Sequence, residues 1–322
     1  MMLKSAFALA SPGGARGRLT ILIFHRVFDQ PDPLFPGEPD VALFEARVRW
    51  IAEWFTVLPL DEALARLRAG TLPPRAAAIT VDDGYADSYT RVFPVLQRHG
   101  LAAAFFVSSA FLDGGHMWND RLIESVRRTE AEWLETGLAD VPAGPVRSVA
   151  EKRAFLARLI PAVKYLPPQA RRDAVDRVVA ASGVAPPVGP AMLDVEQVRA
   201  LRAAGMSIGS HTHDHPLLAA CSDAEAETEI ATGKERLEAA LGEPVRFFAY
   251  PNGKPGTDYD RRHVDMVRRL GFTAAVTTIW GVNTRQTDPF QLARFTPWDS
   301  SRGRFGLRLL GNLLRPSPRS PA

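Results

Sequence analysis

The chain is poor in the features that mark several common protein classes. It has a single cysteine, Cys221, in 322 residues, which excludes an internal disulfide framework and a metal cluster built on cysteines. Its apolar runs all fall short of the roughly 18–20 residues that a membrane-spanning helix needs. The formal net charge is only +3, too mild to indicate a nucleic-acid partner. With 46% hydrophobic and 23% charged residues, the composition is that of an ordinary globular enzyme.

Short apolar runs alternate with helical patterns along most of the chain. The runs are continuous rather than alternating, which is typical of parallel strands that are buried on both faces. They cover residues 20–24, 55–58, 77–81, 103–107, 206–209, 245–250 and 273–277. One long helical pattern follows Ser222, has Glu225 three residues on and stops at Gly242, which predicts a helix capped at both ends. This alternation predicts an α/β fold, either a barrel or a doubly wound sheet.

The predicted barrel domain covers residues 19–300. Three segments of the chain do not follow its alternation of strands and helices. Residues 1–18 resemble a signal peptide only weakly, so we expect a flexible leader, disordered or helical, and a cytoplasmic protein, with secretion the less favoured alternative. The segment from about 117 to 190 is helical without a convincing strand, and it either caps a substrate groove or packs laterally without a binding role. Residues 301–322 combine a basic amphipathic segment with a Pro/Ser-rich tail. That segment could contact an anionic membrane surface, but we favour packing on the protein body.

Two motifs about 130 residues apart place candidate metal ligands at the ends of apolar runs. The first, Thr-Val-Asp-Asp-Gly-Tyr, contains Asp82 and Asp83, and the second, Ser-His-Thr-His-Asp-His-Pro, contains His211 and His215. The carboxyl ends of barrel strands are where active sites are built. One aspartate and two histidines can hold a divalent cation with open positions, and the other aspartate can deprotonate a bound water. The motifs therefore predict a metallohydrolase site.

Less specific interpretations exist for both motifs. Asp-Asp-Gly alone could be a turn with solvated acids, but three of only seven histidines fall within residues 211–215, which argues against a simple surface loop. Thr212 is small and polar, suited to hydrogen bonds behind the ligands. Two histidines and a carboxylate also serve non-haem iron oxygenases, but that class has no use for an adjacent second aspartate. Zinc is the default ion for this ligand set, with cobalt, nickel or iron as alternatives.

The two motifs resemble those of the polysaccharide deacetylases of carbohydrate esterase family 4, the NodB-homology group. Their T-[FV]-D-D-G motif matches residues 80–84, and their H-[ST]-x-x-H motif matches His211, Thr212 and His215. The resemblance covers about residues 19–297 and implies a distorted (β/α) barrel of about seven strands. It further implies a cation held by Asp83, His211 and His215, with Asp82 as general base. The implied activity is metal-dependent removal of an N-acetyl group from a sugar of a polysaccharide or glycolipid.

The chain departs from this family at two further motifs. The R-x-x-P-[YFW]-G motif corresponds to residues 247–253, with Ala249 at the arginine position and Asn252 at the aromatic position. We expect the backbone N–H near Asn252 to stabilise the oxyanion, and Arg26 or Arg294 to steady the base. The L-x-H motif corresponds to residues 292–294 and lacks its histidine. We expect His25, at the end of the first strand, either to replace that histidine as general acid or to be structural.

Residues near the strand ends are candidates for binding sugar. They are Tyr85, Tyr250, Trp298 and Asp299, with Trp118 as a groove wall. Aromatic residues can stack on sugar rings, but they are also ordinary core residues. The same machinery would serve O-deacetylation or deformylation, and the missing motif residues keep an inactive glycan-binding module open. The expected partner is a glycan or a lipid-linked sugar.

Overall fold

A curled parallel sheet forms the centre of the molecule in the computed structural model, which describes residues 2–185 and 191–315. Seven strands make this sheet, and six of them follow one another in the order β1-β3-β4-β7-β8-β9, while β2 pairs with the start of β3. The strands of the described residues are β1 Thr20–Phe24, β2 Thr56–Val57, β3 Ala76–Val81, β4 Ala104–Val107, β5 Trp133–Leu134, β6 Gly144–Pro145, β7 Ser207–Ser210, β8 Phe247–Ala249 and β9 Ala274–Val276. The predicted distorted barrel is confirmed, and the seven strands of the curled sheet lie within or next to the predicted runs.

Helices surround the sheet and connect its parallel strands. They are α1 Met2–Ala10, α2 Val41–Trp54, α3 Leu60–Ala69, α4 Phe93–Arg98, α5 Trp118–Arg128, α6 Val149–Lys164, α7 Pro168–Ser182, α8 Val195–Ala203, α9 Asp223–Leu241, α10 Arg261–Arg269 and α11 Arg302–Leu313. The predicted caps of α9 are confirmed: Ser222 and Glu225 form a capping box, and Gly242 ends the helix in the left-handed conformation. Local sequence signals therefore define both ends of this helix, in addition to its packing on the protein.

Burial on both sheet faces explains why the strand sequences are continuously apolar. On β1, Ile21 belongs to the cluster inside the curled sheet, whereas Leu22 and Phe24 pack with the surrounding helices. Neighbouring residues of a strand face opposite sides, so both sides must be apolar. The inner face is dominated by small residues at several strands, with Ala76, Ala78, Ala104, Ala249 and Ala274 among them. Small side chains allow the sheet to curl tightly.

Residues 292–295 join the two edges of the curled sheet. Leu292 bridges to β9, with the Thr277 N–H donating to the Leu292 carbonyl at 2.8 Å. Phe295 bridges to β1, with its N–H donating to the Ile21 carbonyl at 2.7 Å. Between these contacts lies Arg294, which is completely buried. This closing segment thus places a guanidinium at the centre of the barrel.

The predicted insertion is a helical subdomain between β4 and β7. Helices α5, α6 and α7 pack around an apolar cluster of their own that includes Leu122, Phe155 and Val175. The prediction that the segment has no strand is wrong, because β5 and β6 form a short antiparallel pair. Two-residue strands leave too little period-2 pattern to be recognised in a sequence. Residues 186–190, which end the predicted insertion, lie outside the described residues.

Both ends of the described chain pack on the barrel. The leader is helical, which was one of the two alternatives, but it is packed rather than flexible, because Phe7 of α1 is fully buried, with its ring centroid 5.5 Å from that of Trp54. In α11, Phe305, Leu309 and Leu313 are buried, as favoured for this segment. The Pro/Ser-rich tail from residue 316 lies outside the described residues. Among the described helices, none has the length and apolar character required to cross a membrane.

Candidate active site

Asp83, His211 and His215 converge at the carboxyl end of the sheet. The Asp83 Oδ1 lies 3.4 Å from the Nε2 atoms of both histidines, and these two nitrogens are 3.2 Å apart. Ligand atoms at about 2.0–2.1 Å from a tetrahedral zinc ion would be about 3.3 Å from one another. The three donor atoms therefore already have the spacing of a tetrahedral metal site, and they form a group that could hold a cation.

Left-handed backbone conformations produce this convergence. Asp83 has φ of 76° and Gly84 has φ of 82°, so the chain turns sharply just after Asp82. The predicted turn therefore does allow two adjacent aspartates to face one cavity. Thr212 and His215 also have positive φ, at 66° and 49°. Non-glycine residues rarely adopt this conformation, and strained residues of this kind cluster at functional sites.

Asp82 is held by a bidentate ion pair with Arg294. The Nη1 and Nη2 atoms of Arg294 donate to the two carboxylate oxygens, each at 2.7 Å. Arg294 also donates from Nε to the Thr277 carbonyl at 2.7 Å and from Nη1 to the Thr80 hydroxyl at 3.1 Å. Burial would raise the pKa of Asp82, but opposing effects, of which the charge of Arg294 is the largest, outweigh it, and the net effect is a lowered pKa. Asp82 is therefore ionised at neutral pH.

Hydrogen bonds and burial define the state of the histidines in the loop of residues 211–215. The Nδ1 of His211 is 2.7 Å from the Ala249 carbonyl, which requires a proton on Nδ1 and leaves the Nε2 lone pair facing Asp83. Burial and the neighbouring His211 lower the pKa of His215 to about 3, so this ring is neutral at pH 7. Glu229 accepts the His213 and Asp214 backbone N–H groups at 3.1 and 2.8 Å, which holds the loop in place.

A cavity of about 490 Å³ opens over the candidate metal-binding group, Asp83, His211 and His215. It is lined on the barrel side by the strand-end residues and on the other side by Trp118, Asn119, Ile160 and Lys164 of the insertion. The insertion therefore forms a wall of this cavity, as the groove-cap alternative expects. Trp298 stands at its rim with 55% of its surface exposed. An exposed indole beside a polar cavity is available for stacking on a sugar ring.

His25 and Asn252 both line this cavity. His25 directly follows β1 and is half-buried, and its charge would act on both Asp82 and Asp83. Asn252 has φ of 56° and follows Pro251 after β8. Within the described residues, its backbone N–H has no hydrogen-bond acceptor, so it is free to donate to a bound group.

Other predicted site residues have different surroundings from those expected. Tyr250, predicted to bind sugar, is completely buried. Its ring stacks on that of Tyr259, with the two centroids 3.9 Å apart, and its hydroxyl donates to a backbone carbonyl. It is a core residue, and that prediction is wrong. Tyr85 is also buried, with the Arg26 guanidinium 4.1 Å from its ring centroid, so this face cannot stack on a sugar. Asp299 was predicted as a polar substrate contact, but Arg308 pairs with it at 2.7 Å.

The two candidate partners of the base are clearly distinguished. Arg294 contacts Asp82, whereas Arg26 pairs with Asp87 at 3.1 Å and Asp120 at 3.3 Å. Arg26 therefore does not steady the base directly. The Thr212 hydroxyl donates to the His211 carbonyl at 2.5 Å, a backbone contact rather than a bond to an imidazole.

Sequence reasoning missed several residues of the cavity. The missed lining residues are Trp280, Thr278, Lys164 and Lys254. Trp280 and Thr278 follow β9 closely, so the strand-end rule that singled out the motif residues would have included them. Lys164 had no such signal, because it reaches the cavity from the end of α6 in the insertion.

Comparisons with known proteins identify the family of the chain. A family profile described as Polysaccharide deacetylase matches residues 69–135 and 169–275. The chain is 20% identical over 279 residues to the Bacillus subtilis (strain 168) protein YxkH, whose name includes polysaccharide deacetylase, covering 86% of this chain and 70% of that protein. The chain therefore belongs to the polysaccharide deacetylase family.

Solved structures show the same fold. The Streptococcus pyogenes deacetylase PplD in complex with acetate superposes with a TM-score of 0.61 at 18% identity, covering 92% of this chain and 99% of that one. IcaB from Ammonifex degensii gives a TM-score of 0.58 at 19% identity, covering 92% and 97%. A de-N-acetylase from Aggregatibacter actinomycetemcomitans gives 0.59 at 16% identity, covering 91% and 99%.

Proposed function

We propose that this protein is a metal-dependent deacetylase that removes an N-acetyl group from a sugar of a polysaccharide or glycolipid. One observation carries the proposal: Asp83, His211 and His215 have metal-site spacing, and Asp82 is held ionised beside them by Arg294 in the same cavity. A divalent cation held there, zinc by preference, would supply a Lewis acid and lower the pKa of a bound water.

The residues of the chain have separate roles in this proposal. Asp82 takes the proton from the attacking water, and Arg294 keeps its carboxylate ionised and oriented. The backbone N–H of Asn252 donates to the oxygen that gains negative charge at the acyl carbon. His25 protonates the departing amine, in place of the histidine that the L-x-H motif lacks. Trp298 and Trp118 bind the sugar ring through their apolar faces.

Acetate release from N-acetylglucosamine oligomers tests the proposal. Wild type and Asp82→Asn are loaded with zinc, and their metal content is measured before the assay. We expect wild type to release acetate, chelation to abolish release, and D82N to retain its metal but lose at least a hundredfold in kcat, as general bases typically contribute about 10²–10⁴-fold. A fully metallated wild type that releases no acetate, or an Asp82→Asn enzyme with full activity, would refute it.

His25 needs its own test because a structural role predicts a different result. We expect His25→Gln to lower kcat with unchanged metal content, because the departing amine would lose its proton donor. Full activity in that variant would rule out the acid role.

We also propose peripheral contact of α11 with anionic membranes. Leu307 and Leu314 are each 65% exposed and lie among arginines on its outer face, which suits an interfacial helix. Sedimentation with phosphatidylglycerol vesicles should fall in Leu307→Ser/Leu314→Ser, which keeps the buried side of the helix. Equal sedimentation would refute this contact.

A further inference from the structure

Lysine is rare in this chain, yet two lysines line the catalytic cavity. The sequence has five lysines and 34 arginines among its 39 basic residues. Lys164 ends α6 in the insertion, and Lys254 lies in the loop after β8, so two distant parts of the chain bring them together. The cavity that they line also holds the metal-binding group and the indoles of Trp118, Trp280 and Trp298.

Neither cavity lysine has an ion-pair partner within the described residues. By contrast, Lys234 pairs with Glu238 at 2.8 Å on the surface of α9, and the ammonium of Lys152 donates to backbone carbonyls. Lys164 is half-buried, with its Nζ 5.6 Å from the centroid of the Tyr165 ring, and Lys254 is exposed. Two lysines that line the active-site cavity are therefore available for a ligand.

The charges around Lys164 are mixed. Burial lowers the pKa of Lys164, the Asp258 carboxylate opposes this by attraction, and the positive charge of Lys254 adds a smaller repulsion. Asp258 is itself buried and accepts the Lys254 backbone N–H at 2.9 Å. The carboxylates that line the cavity are already engaged, since Asp82 pairs with Arg294 and Asp83 lies between the two histidines. A bound anion would relieve the repulsion and gain charge-assisted hydrogen bonds.

We propose that Lys164 and Lys254 form an anion-binding subsite, and that the substrate carries a phosphate or carboxylate group close to the acetamido group that is hydrolysed. This inference rests on the proposed deacetylase function and narrows its substrate class. An ammonium is a compact point charge with three rotatable donors, which suits either anion. The tryptophans would hold the pyranose ring while the lysines select its charged substituent.

Two anionic probes and one neutral probe test the subsite. N-acetylglucosamine 1-phosphate represents a sugar phosphate of the lipid-linked kind, hyaluronan tetrasaccharide represents a polymer with uronate neighbours, and chitotriose is the uncharged reference. Zinc-loaded wild type, Lys164→Gln and Lys254→Gln are assayed for acetate release at low and high salt. Lys234→Gln is the matched control, because it removes the same charge outside the cavity.

We expect at least one anionic probe to have a higher kcat/KM than chitotriose on wild type, and this preference to weaken as salt increases. Each cavity variant should lose roughly tenfold in kcat/KM on that probe, the usual loss for a charged hydrogen bond, with chitotriose and the control variant unaffected. The identity of the preferred probe distinguishes a sugar phosphate from a uronate polymer.

Binding to chelator-treated protein gives a readout independent of turnover. Calorimetric titration with the preferred probe should show a Kd that rises about tenfold in Lys164→Gln and not in Lys234→Gln. Chitotriose hydrolysed as well as both anionic probes, or anion binding insensitive to both lysines, would overturn the subsite and leave the deacetylase proposal standing. No acetate from any probe would overturn both.

Discussion

The ion pair between Asp82 and Arg294 should couple the stability of the barrel to the charge of the proposed general base. Both side chains are buried, and they share two hydrogen bonds of 2.7 Å. Removing one partner of a buried pair leaves the other charge uncompensated, which costs about 3–5 kcal/mol. We therefore expect Arg294→Met to lower the free energy of unfolding by about that amount.

A double-mutant cycle isolates the pair from other effects of each substitution. In Asp82→Asn the guanidinium loses its charge partner, and in Asp82→Asn/Arg294→Met neither charge remains. The double variant should be more stable than the sum of the two losses implies, by a coupling of about 2–3 kcal/mol. The measurement is urea unfolding at pH 7 with chelator present, so that metal binding does not contribute.

Arg47 provides the matched control for this cycle. It is similarly buried, but it donates to the backbone carbonyls of Trp298 and Asp299, each at 3.1 Å. Arg47→Met combined with Asp82→Asn should therefore be additive within about 0.5 kcal/mol. Additivity in the Arg294 cycle as well, or a loss below about 1 kcal/mol in Arg294→Met, would show that the pair does not hold the base.

Four further substitutions, one of them a control, test particular contacts. Gly233→Ala should weaken zinc affinity at least tenfold, measured by competition with a chelator, because its Cβ would lie 2.7 Å from the Thr212 carbonyl carbon; Gly311→Ala, which meets nothing within 4 Å, should leave it unchanged and raise stability by up to about 1 kcal/mol. Burial raises the pKa of Asp120 to about 7, so the folded protein holds the protonated acid more strongly than the unfolded chain does. Asp120 therefore adds to the free energy of unfolding below about pH 4, and this contribution is lost as pH rises through 7. Asp120→Asn should flatten that part of the pH–stability curve, by up to about 4 kcal/mol in urea unfolding, and an unchanged curve would contradict the assignment. Tyr250→Phe should cost about 1 kcal/mol of stability and leave KM unchanged, since its hydroxyl bonds only a backbone carbonyl; a raised KM would return it to the substrate site.

The sequence predicted what depends on local pattern. The barrel strands follow from continuous apolar runs, and the α9 caps follow from Ser222, Glu225 and Gly242. The convergence of Asp83 with His211 and His215 follows from their places at strand ends, because parallel strands bring their carboxyl ends to one edge of the sheet. These features need no knowledge of distant contacts.

Features that depend on distant packing could not be predicted. Nothing in the residues around Tyr250 shows that Tyr259 covers its ring, and Arg26 and Arg294 were equally plausible partners for Asp82 until the closing segment was seen. Lys164 is 90 residues before Lys254, and only the fold of the insertion places both in one cavity.

The closing segment at residues 292–295 also makes the proposed activity depend on closure of the barrel. The same few residues that bridge β9 to β1 deliver the guanidinium that keeps Asp82 charged. In a chain whose barrel has not closed, Asp82 therefore lacks the guanidinium that orients its carboxylate and holds it ionised in the cavity. Local opening of this seam would silence the base while most strands and helices stay intact, so activity should disappear before secondary structure does when the protein is gently destabilised.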